Sequence, residues 1–422
     1  MDSKNKDDQA MRDEAIRDVQ KLPKAQTIFL GLQHTLAMFG ATILVPILTG
    51  LHISVALFTA GVGTWLFHFI TKKKVPAYLG SSFAFIAPIS LVIEQHGGIP
   101  AAQGGIIVAG LIYAIVAFII YKVGPSLIKK IFPPIVTGPV IMLIGMILAP
   151  VAIDMAGGST VNIAVSTAAL LGAVIVAVFA RGFLKIVPIL AGLITGYVVA
   201  VITGIVDFSP VMNSAWVGLP EFTVPTFQLR AITIIAPVAI VSMVEHVGDV
   251  LAISETIGKG RELVTDPGIH RTMLGDGMAT ALAGVFGGTP NTTYGENTGV
   301  LAITKVYDRV VMRIGATFAI LMAVIPKFGG LIRTVPDPVI GGISFLLYGM
   351  ITTIGIRTLV ENQTDLKISR NLVVAATILV LGIGGAVLKI GAIEFSSLAV
   401  AALAGVILNL VLPGGEETEA TF

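Results

Sequence analysis

Three carboxylate side chains lie in segments that are otherwise hydrophobic. Glu245 and Asp249 are four residues apart in APVAIVSMVEHVGDVLAIS, so a helix would present both on one face. Glu296 lies in TPNTTYGENTGVLAITK (289–305), a stretch too polar to face lipid. Carboxylates at membrane depth typically mark a substrate or ion path, and they accept hydrogen bonds from N–H groups. Because three buried carboxylates cannot all be ionised cheaply, we expect at least one of them to take up a proton, as proton coupling requires.

Other residues have the chemistry to complete such a site. Phe83 could stack on a flat ring or only pack against other helices, and Tyr348 could border the site or only pack. For Asp249, pairing with a Lys at the end of its helix is an open alternative. His34 and Asp276 are interpreted as hydrogen-bonding support and not as substrate contacts.

The composition is that of a polytopic membrane protein. The 422 residues are 55% hydrophobic and 12% charged, with a mean hydropathy of +0.92, whereas soluble domains carry about 25% charged residues. The chain has no Cys, which excludes disulfides and thiolate metal sites, and its six His show no metal-ligand spacing, so we expect neither a metal nor a cofactor. The net charge of +2 and the lack of basic tracts argue against nucleic acid. The lack of a GxxxxGKS or GxxxxGKT loop argues against ATP-driven transport.

The apolar segments and the positions of Lys and Arg predict fourteen membrane spans with both termini in the cytoplasm. Of the 27 Lys and Arg residues, only Arg230, Lys327, Arg333 and Lys389 fall on the side opposite the N-terminus, as expected when positive charge stays in the cytoplasm. Residues 1–24 are predicted to form a soluble tail, and the polar connection 207–228 an external cap. The predicted spans are 27–49, 53–71, 76–93, 101–121, 131–152, 161–180, 185–206, 229–252, 271–287, 289–304, 309–332, 336–356, 371–388 and 394–412.

The fourteen spans divide into two copies of seven. Since seven is odd, the second copy must enter the membrane from the opposite side, as in the inverted repeats of many secondary transporters. Segments three and ten are predicted to carry a non-helical stretch followed by a half-helix, with the backbone amides of Phe83 and of Tyr294 to Glu296 facing a central cavity. The matches between the copies are PPIVTGPVIMLIGM (133–146) with PDPVIGGISFLLYGM (336–350), Gln33-His34 with Glu245-His246, and Ser81-Ser82-Phe83 with Thr292-Thr293-Tyr294 at an offset of 211.

The residues around Glu296 resemble the signature of the nucleobase–ascorbate transporter (nucleobase:cation symporter 2) family. That signature is Gln or Glu, Asn, any residue, Gly, four of any residue, Thr, and then Arg, Lys or Gly. Three further stretches, LQHTLAMFGATILVP (32–46), PAYLGSSFAFIAP (76–88) and VEHVGD (244–249), are similar to the uracil-transporting branch of the family. The resemblance extends from about residue 25 to 412. The matching signature residues are Glu296, Asn297, Gly299, Thr304 and Lys305.

The resemblance implies an all-α polytopic membrane protein of fourteen segments in two inverted seven-segment repeats, with short strands in segments three and ten. It also implies uracil uptake driven by the proton gradient across the cell membrane, and a possible homodimer through the gate domain. The implied division is a core domain at 25–130 and 229–333, a gate domain at 131–228 and 334–413, and cytoplasmic tails at 1–24 and 414–422.

By matching position, the resemblance implies that Glu245 and Glu296 hold the pyrimidine and that Phe83 stacks on it. Tyr294, Gly295 and Tyr348 would complete the pocket. Some uracil permeases have His where this chain has Asp249, so the acid here changes the pH optimum or leaves the proton to another group. The expected proton-coupling residues are Glu245, Asp249, Glu296 and His246.

Two alternative functions stay open at this point. A xanthine or other purine permease of the same family would typically have Gln in place of Glu296. A channel or anion exchanger of the same fold would favour basic groups at the half-helix ends, whereas the central polar residues of this chain are acidic or neutral. A membrane enzyme is not expected, because the sequence shows no nucleophile–base pair or metal set.

Overall fold

The computed structural model describes residues 15–124, 130–260, 262–391 and 393–413. Over these residues the chain consists mainly of helices. Long apolar stretches require this in lipid, where each backbone N–H and C=O needs a partner within the protein. The first fourteen residues of the predicted N-terminal tail, and the predicted C-terminal tail 414–422, lie outside the described residues.

Within its described residues, the first copy contains seven α-helices and one short strand. The strand and a 3₁₀ turn at Phe83–Phe85 precede the third helix, as predicted for a segment with a non-helical start. The elements are α1 (Lys24–Thr49), α2 (Ile53–Ile70), β1 (Leu79–Ser81), α3 (Ile86–Gln95), α4 (Gly98–Val123), α5 (Pro134–Ala156), α6 (Thr160–Phe179) and α7 (Pro188–Ile202).

The second copy follows a short helix, α8 (Ser209–Met212), in the outer connection. Its first segment is divided by a 3₁₀ turn at Ala236–Val238. Its elements are α9 (Leu229–Ile235), α10 (Ala239–Thr256), α11 (Ile269–Phe286), β2 (Asn291–Thr293), α12 (Gly295–Thr304), α13 (Arg309–Ala323), α14 (Pro326–Arg333), α15 (Asp337–Glu361), α16 (Ser369–Ile383), β3 (Leu388–Ile390), β4 (Ile393–Phe395) and α17 (Ser397–Val411).

Each of the fourteen predicted segments contains a helix in this structure. Within the described residues, seven helices are long and apolar enough to cross a bilayer unaided, and an eighth crosses if α13 and α14 count as one span. Four further apolar helices are shorter. They are the half-helix α3 with its 3₁₀ turn, the last helix of each copy (α7 and α17), and α16. The predicted helical membrane fold with short strands in segments three and ten is therefore confirmed.

Segment eleven differs from the single span predicted at 309–332. Helix α13 ends at Ala323, and α14 starts at Pro326 in a direction 82° away. The break falls here because Pro326 has no N–H to continue the hydrogen bonds of α13 and disfavours a helical conformation in the residue before it. Lys327 then fixes α14 to the outer connection, since its ammonium donates to the backbone oxygens of Val211 and Ser214.

The outer connection lies over the ends of α2, α4 and α11. Phe222 packs its ring against Phe58 and Phe286. Gln103 donates to Thr223 O at 2.9 Å, and Thr226 N donates to the backbone oxygen at position 100 at 2.8 Å. The polar, Pro-rich stretch predicted as an external cap is thus bound to the bundle along its length.

The antiparallel hairpin of β3 and β4, just before α17, was not predicted from the sequence. The chain turns there with Gly391 at a positive φ of 62°, a conformation that suits glycine. Segments of three residues are too short to give a recognisable alternating pattern.

Outside the spans, one ion pair joins the connections that follow α2 and α10. Lys74 donates a hydrogen bond to Asp266. This hydrogen bond and the positive charge of Lys74 hold the pKa of the Asp266 carboxyl below its usual range.

The long helices pack in two groups. In one group, α11 packs against α2 and α4, and α13 packs against α1 and α2. In the other, α15 packs against α5, α6 and α7, while α16 packs against α5 and α17. Whether these groups move as the core and gate domains stays a prediction.

Candidate functional site

The two short strands pair with each other between the two copies. β1 and β2 run antiparallel, with Leu79 opposite Thr293, Gly80 opposite Thr292 and Ser81 opposite Asn291. All six residues are buried. Equivalent strands of the two copies therefore run in opposite directions, as a two-fold relation between inverted repeats requires.

Each strand is fixed by a threonine of the preceding helix. Leu79 N donates to Thr64 Oγ1 at 3.0 Å, and Asn291 N donates to Thr280 Oγ1 at 3.1 Å. Thr64 and Thr280 occupy the same position in α2 and α11, counted from the helix start. The duplicated hydrogen bond explains why a non-helical backbone persists at this depth, since its first amide is satisfied by protein and not by water.

The strands place the two copies at an offset of 212 residues. Leu79 corresponds to Asn291, and Ser82 corresponds to Tyr294, both at the extended position before a helical turn. The match of Ser81-Ser82-Phe83 to Thr292-Thr293-Tyr294 at an offset of 211 was therefore wrong by one residue. Runs of hydroxyl side chains align equally well at either offset, and only the hydrogen bonds distinguish them.

Both half-helices begin without a side-chain cap. Neither Ser82 before Phe83–Phe85 nor Tyr294 before α12 caps the turn that follows it. The first N–H groups of a helix have no intrahelical partner, and they carry the positive end of the helix dipole. The uncapped starts of these turns are therefore suited to bind carbonyl oxygens or carboxylates.

The structure brings together the three carboxylates singled out in the sequence. Glu245 and Asp249 lie on one face of α10, Glu296 lies in the first turn of α12, and all three are partly exposed. Asp249 Oδ1 lies 3.4 Å from the point where a Cβ on Gly295 would be. The carboxylates are close enough to interact electrostatically, and Glu245 Oε2 is buried without a hydrogen-bond partner among the described residues.

His246 points away from this group and belongs to a separate polar network. It is fully buried, and its Nδ1 lies 2.8 Å from Asp276 Oδ2 and 3.0 Å from Thr293 Oγ1. Its Nε2 lies 2.9 Å from Thr272 Oγ1. Asp276 also accepts the backbone N–H of Thr293 at 3.1 Å, so the network fixes β2 to α10 and α11. The role of His246 in proton coupling stays a prediction.

His34 and the signature residue Asn297 form the link between α1 and α12. Asn297 Nδ2 donates to His34 O at 3.0 Å and lies 3.1 Å from His34 Nδ1. Both side chains are almost fully buried. Asn297 thus orients the half-helix that carries Glu296, a role that the sequence pattern did not specify.

The aromatic candidates lie in different surroundings. Phe83 is 5% exposed and borders a small cavity against α5 and the start of α17. Tyr348 lines a cavity of about 240 Å³ between α5 and α15. Tyr294 is 3% exposed and directs its hydroxyl to β1. The residues that line these two cavities do not include the three carboxylates, so contact of all three aromatics with one ligand stays a prediction.

Accessible residues on α10 and α12 lead away from the carboxylates. On α10, Gly248, Ala252 and Glu255 are exposed on the face of Glu245. On α12, Gly295 and Ala302 are exposed. Ala252, Glu255 and Ala302 lie between the carboxylates and the helix ends nearest the N-terminal segment.

Inverted repeats, crossed short strands and a group of carboxylates beside a half-helix start define the chain as a multi-pass membrane transporter. Its sequence matches the model of the Xan_ur_permease family, described as the permease family, over residues 25–391. The chain belongs to this family, which confirms the resemblance seen in the sequence. Since its relatives are permeases, the protein is a transporter and not an enzyme.

Two curated relatives cover almost the full length of the chain. The uracil permease of Bacillus caldolyticus is 45% identical over 413 residues, which is 94% of this chain and 95% of that protein. The uracil permease of Escherichia coli (strain K12) is 43% identical over 407 residues, 94% of each chain.

A solved structure shares the fold at much lower identity. The transmembrane domain of a cyanobacterium bicarbonate transporter, BicA, is 16% identical, with a TM-score of 0.61 over 92% of this chain and 97% of that chain. A transporter of an inorganic anion therefore has the same architecture. The fold alone does not identify the substrate, which must be argued from the site.

Proposed function

We propose that this protein is a secondary active transporter that imports uracil by proton symport across the cell membrane. The single observation that carries the proposal is the group of Glu245, Asp249 and Glu296 beside the uncapped start of α12. The substrate assignment is supported by the identity of 43–45% to uracil permeases over nearly the whole chain.

Uracil has the donors and acceptors that this site complements. Its two ring N–H groups donate to the carboxylates of Glu245 and Glu296, and its carbonyl oxygens accept from the backbone N–H groups of Phe83, Gly295 and Glu296. The ring of Phe83 stacks on the pyrimidine, while Tyr294 and Tyr348 complete the pocket. The unpartnered, buried Glu245 Oε2 supports this arrangement, because a bound donor would satisfy an atom that is otherwise costly to bury.

The proton is carried by the same group of acids. Three carboxylates in electrostatic contact resist being ionised together, so substrate binding and proton uptake are linked. Asp249 is the main candidate for the relay, because it lies on the accessible face of α10 against Gly295. Glu245, Glu296 and His246 are the other residues assigned to coupling.

Transport proceeds by alternating access between a core domain, 25–130 and 229–333, and a gate domain, 131–228 and 334–413. The two packing groups of helices support this division. The predicted cytoplasmic position of both termini would place the ends of α10 and α12 that contact the N-terminal segment on the inner side. Exposed apolar side chains of the gate helices, such as Ile153 and Ile354, offer a surface for lipid or for a homodimer.

The fold similarity to a bicarbonate transporter raises anion transport as a second candidate. The charge of the site opposes it. A half-helix start that already has Glu296 in its first turn, with Asp249 next to Gly295, repels an inorganic anion. Glu296 also argues against purine transport, because purine permeases of the same family typically have Gln at this position.

Calorimetric titration of the purified protein with uracil, xanthine and bicarbonate tests the substrate assignment. We expect binding of uracil only, and loss of uracil binding in Glu245→Ala, which removes both an acceptor and a protonation site. Binding of xanthine in preference to uracil, or uracil affinity at wild-type strength in Glu245→Ala, would contradict the assignment.

A further inference from the structure

The described part of the N-terminal tail, residues 15–22, packs on the bundle as a strap. Ile16 pairs with Val306 in a parallel bridge, in which Ile16 N donates to Lys305 O and Tyr307 N donates to Ile16 O, both at 2.9 Å. Val19 is 7% exposed and packs on Leu30, Val306 and Val311.

Two further contacts make the strap specific. Val19 N donates to Asp308 Oδ2 at 3.0 Å, while Asp308 Oδ1 caps the start of α13 by accepting Val310 N. Arg17 Nη2 donates to Ile257 O at 2.8 Å, and its guanidinium lies 5.8 Å from the centre of the Tyr307 ring.

The strap residues bind the ends of the two helices that carry the candidate site. Lys305 is the C-terminal cap of α12, which carries Glu296. Ile257 is the C-terminal cap of α10, which carries Glu245 and Asp249. Neighbouring residues 16 and 17 therefore connect these two helix ends. A cation at the C-terminus of a helix is also favoured by the helix dipole.

We propose that residues 15–22 tie the end of α10 to the connection after α12, with Arg17 as a positioning residue, so that the carboxylate-bearing helices move as one unit during transport. Arg17 acts through its contacts with Ile257 and Tyr307, which lie away from the carboxylates. The proposal rests on the proposed transport function. It assigns the tail a part in the transport step, beyond that of a solvated extension.

Arg17→Ala removes the hydrogen bond to Ile257 O and the contact with the Tyr307 ring, and it leaves the carboxylates unchanged. Arg17→Lys keeps the charge and one donor but loses the planar guanidinium over Tyr307. Lys21→Ala is the matched control, because it removes one positive charge from an exposed position of the same segment. Each variant is purified at full length and compared with the wild-type protein.

Hydrogen exchange tests whether Arg17 holds the two helix ends, and uracil uptake tests whether this contact affects transport. In Arg17→Ala we expect the amides of 253–258 and 301–308 to exchange faster by about tenfold, since a tie lost at a helix end favours local opening. Uracil uptake should slow by about 3–10-fold with the dissociation constant of uracil changed by less than about twofold, because a conformational step is affected and not the binding contacts. Arg17→Lys should fall in between, and Lys21→Ala should match the wild type.

Two results would overturn the proposal. One is exchange and uptake in Arg17→Ala equal to those of Lys21→Ala. The other is a loss of uracil affinity that accounts for all the loss of uptake. If the wild-type protein binds no uracil, the proposed function fails, and the exchange comparison, which needs no substrate, still decides whether Arg17 ties the two segments.

Discussion

The hydroxyl of Tyr294 donates a hydrogen bond of 2.8 Å to the backbone oxygen of Ser81, so a side chain of the second copy is bonded to the strand of the first. The Tyr294 ring covers Gly80, where a Cβ would also lie 2.7 Å from Thr42 Oγ1. The side chain of Tyr294 therefore holds the crossed strands together. Its backbone N–H donates to Tyr78 O at 3.0 Å, so the prediction that the Tyr294 amide faces a cavity was wrong.

Replacing Tyr294 by Phe removes this donor and leaves the ring in place. Because Ser81 O is buried, the free energy of unfolding should fall by roughly 0.5–1.5 kcal/mol, the usual net value of one hydrogen bond. Thermal unfolding in detergent measures it, with Tyr121→Phe as the control, since that side chain is 62% exposed. Equal melting temperatures for the two variants would show that the bond does not stabilise the fold.

Gly80→Ala places a methyl group against the Tyr294 ring and Thr42. We expect a loss of about 1–3 kcal/mol in the free energy of unfolding, typical of an overpacked core, because the Tyr294 ring and Thr42 must shift to admit the methyl group. Gly349→Ala is the control, since no atom lies within 4 Å of its added Cβ. A Gly80→Ala protein as stable as Gly349→Ala would argue against the close packing of Gly80 on Tyr294 and Thr42.

Glu296→Gln replaces a charged acceptor at the start of α12 by a neutral one of the same shape. Uracil binding should weaken by roughly 1–3 kcal/mol, the cost of losing a hydrogen bond to a charged group. Calorimetry measures the change, with the exposed Glu361→Gln as a control far along α15. If Glu296→Gln binds uracil as tightly as the control variant, Glu296 does not contact the substrate.

Asp249→Asn removes the acid that faces Gly295 and keeps its size. Wild-type uptake should fall as the external pH rises, since fewer protons are available to bind. In the variant, uptake should lose most of this dependence while uracil still binds. Uptake measured across a pH series checks this against Asp154→Asn, an exposed acid outside the site. An unchanged pH profile would show that a group other than Asp249 carries the proton.

The position of the site could be predicted because lipid imposes strict rules on polar residues. Glu245 and Asp249 are four residues apart, which places them on one helix face, and the polar content of 289–305 is incompatible with lipid. The break in segments three and ten followed from the same rule, and the structure confirms it.

The details that fix the site could not be predicted. Thr64 and Thr280 look like ordinary helix residues until the strands bring Leu79 and Asn291 to them. The strap was not predicted because hydrophilic composition indicates a solvated tail. Its contacts with Val306 and Asp308 join residues that are at least 289 positions apart along the chain. Contacts over such separations leave no periodic pattern in a single sequence.

Uptake of labelled uracil into proteoliposomes, with and without an inward proton gradient, tests the central claim most directly. The proposed mechanism predicts accumulation above equilibrium only with the gradient, blocked by unlabelled uracil and not by xanthine or hypoxanthine, and absent in Glu245→Ala. Uptake that does not depend on the gradient, or that purines block, would contradict uracil–proton symport at Glu245, Asp249 and Glu296. The fold and the family assignment would not be affected.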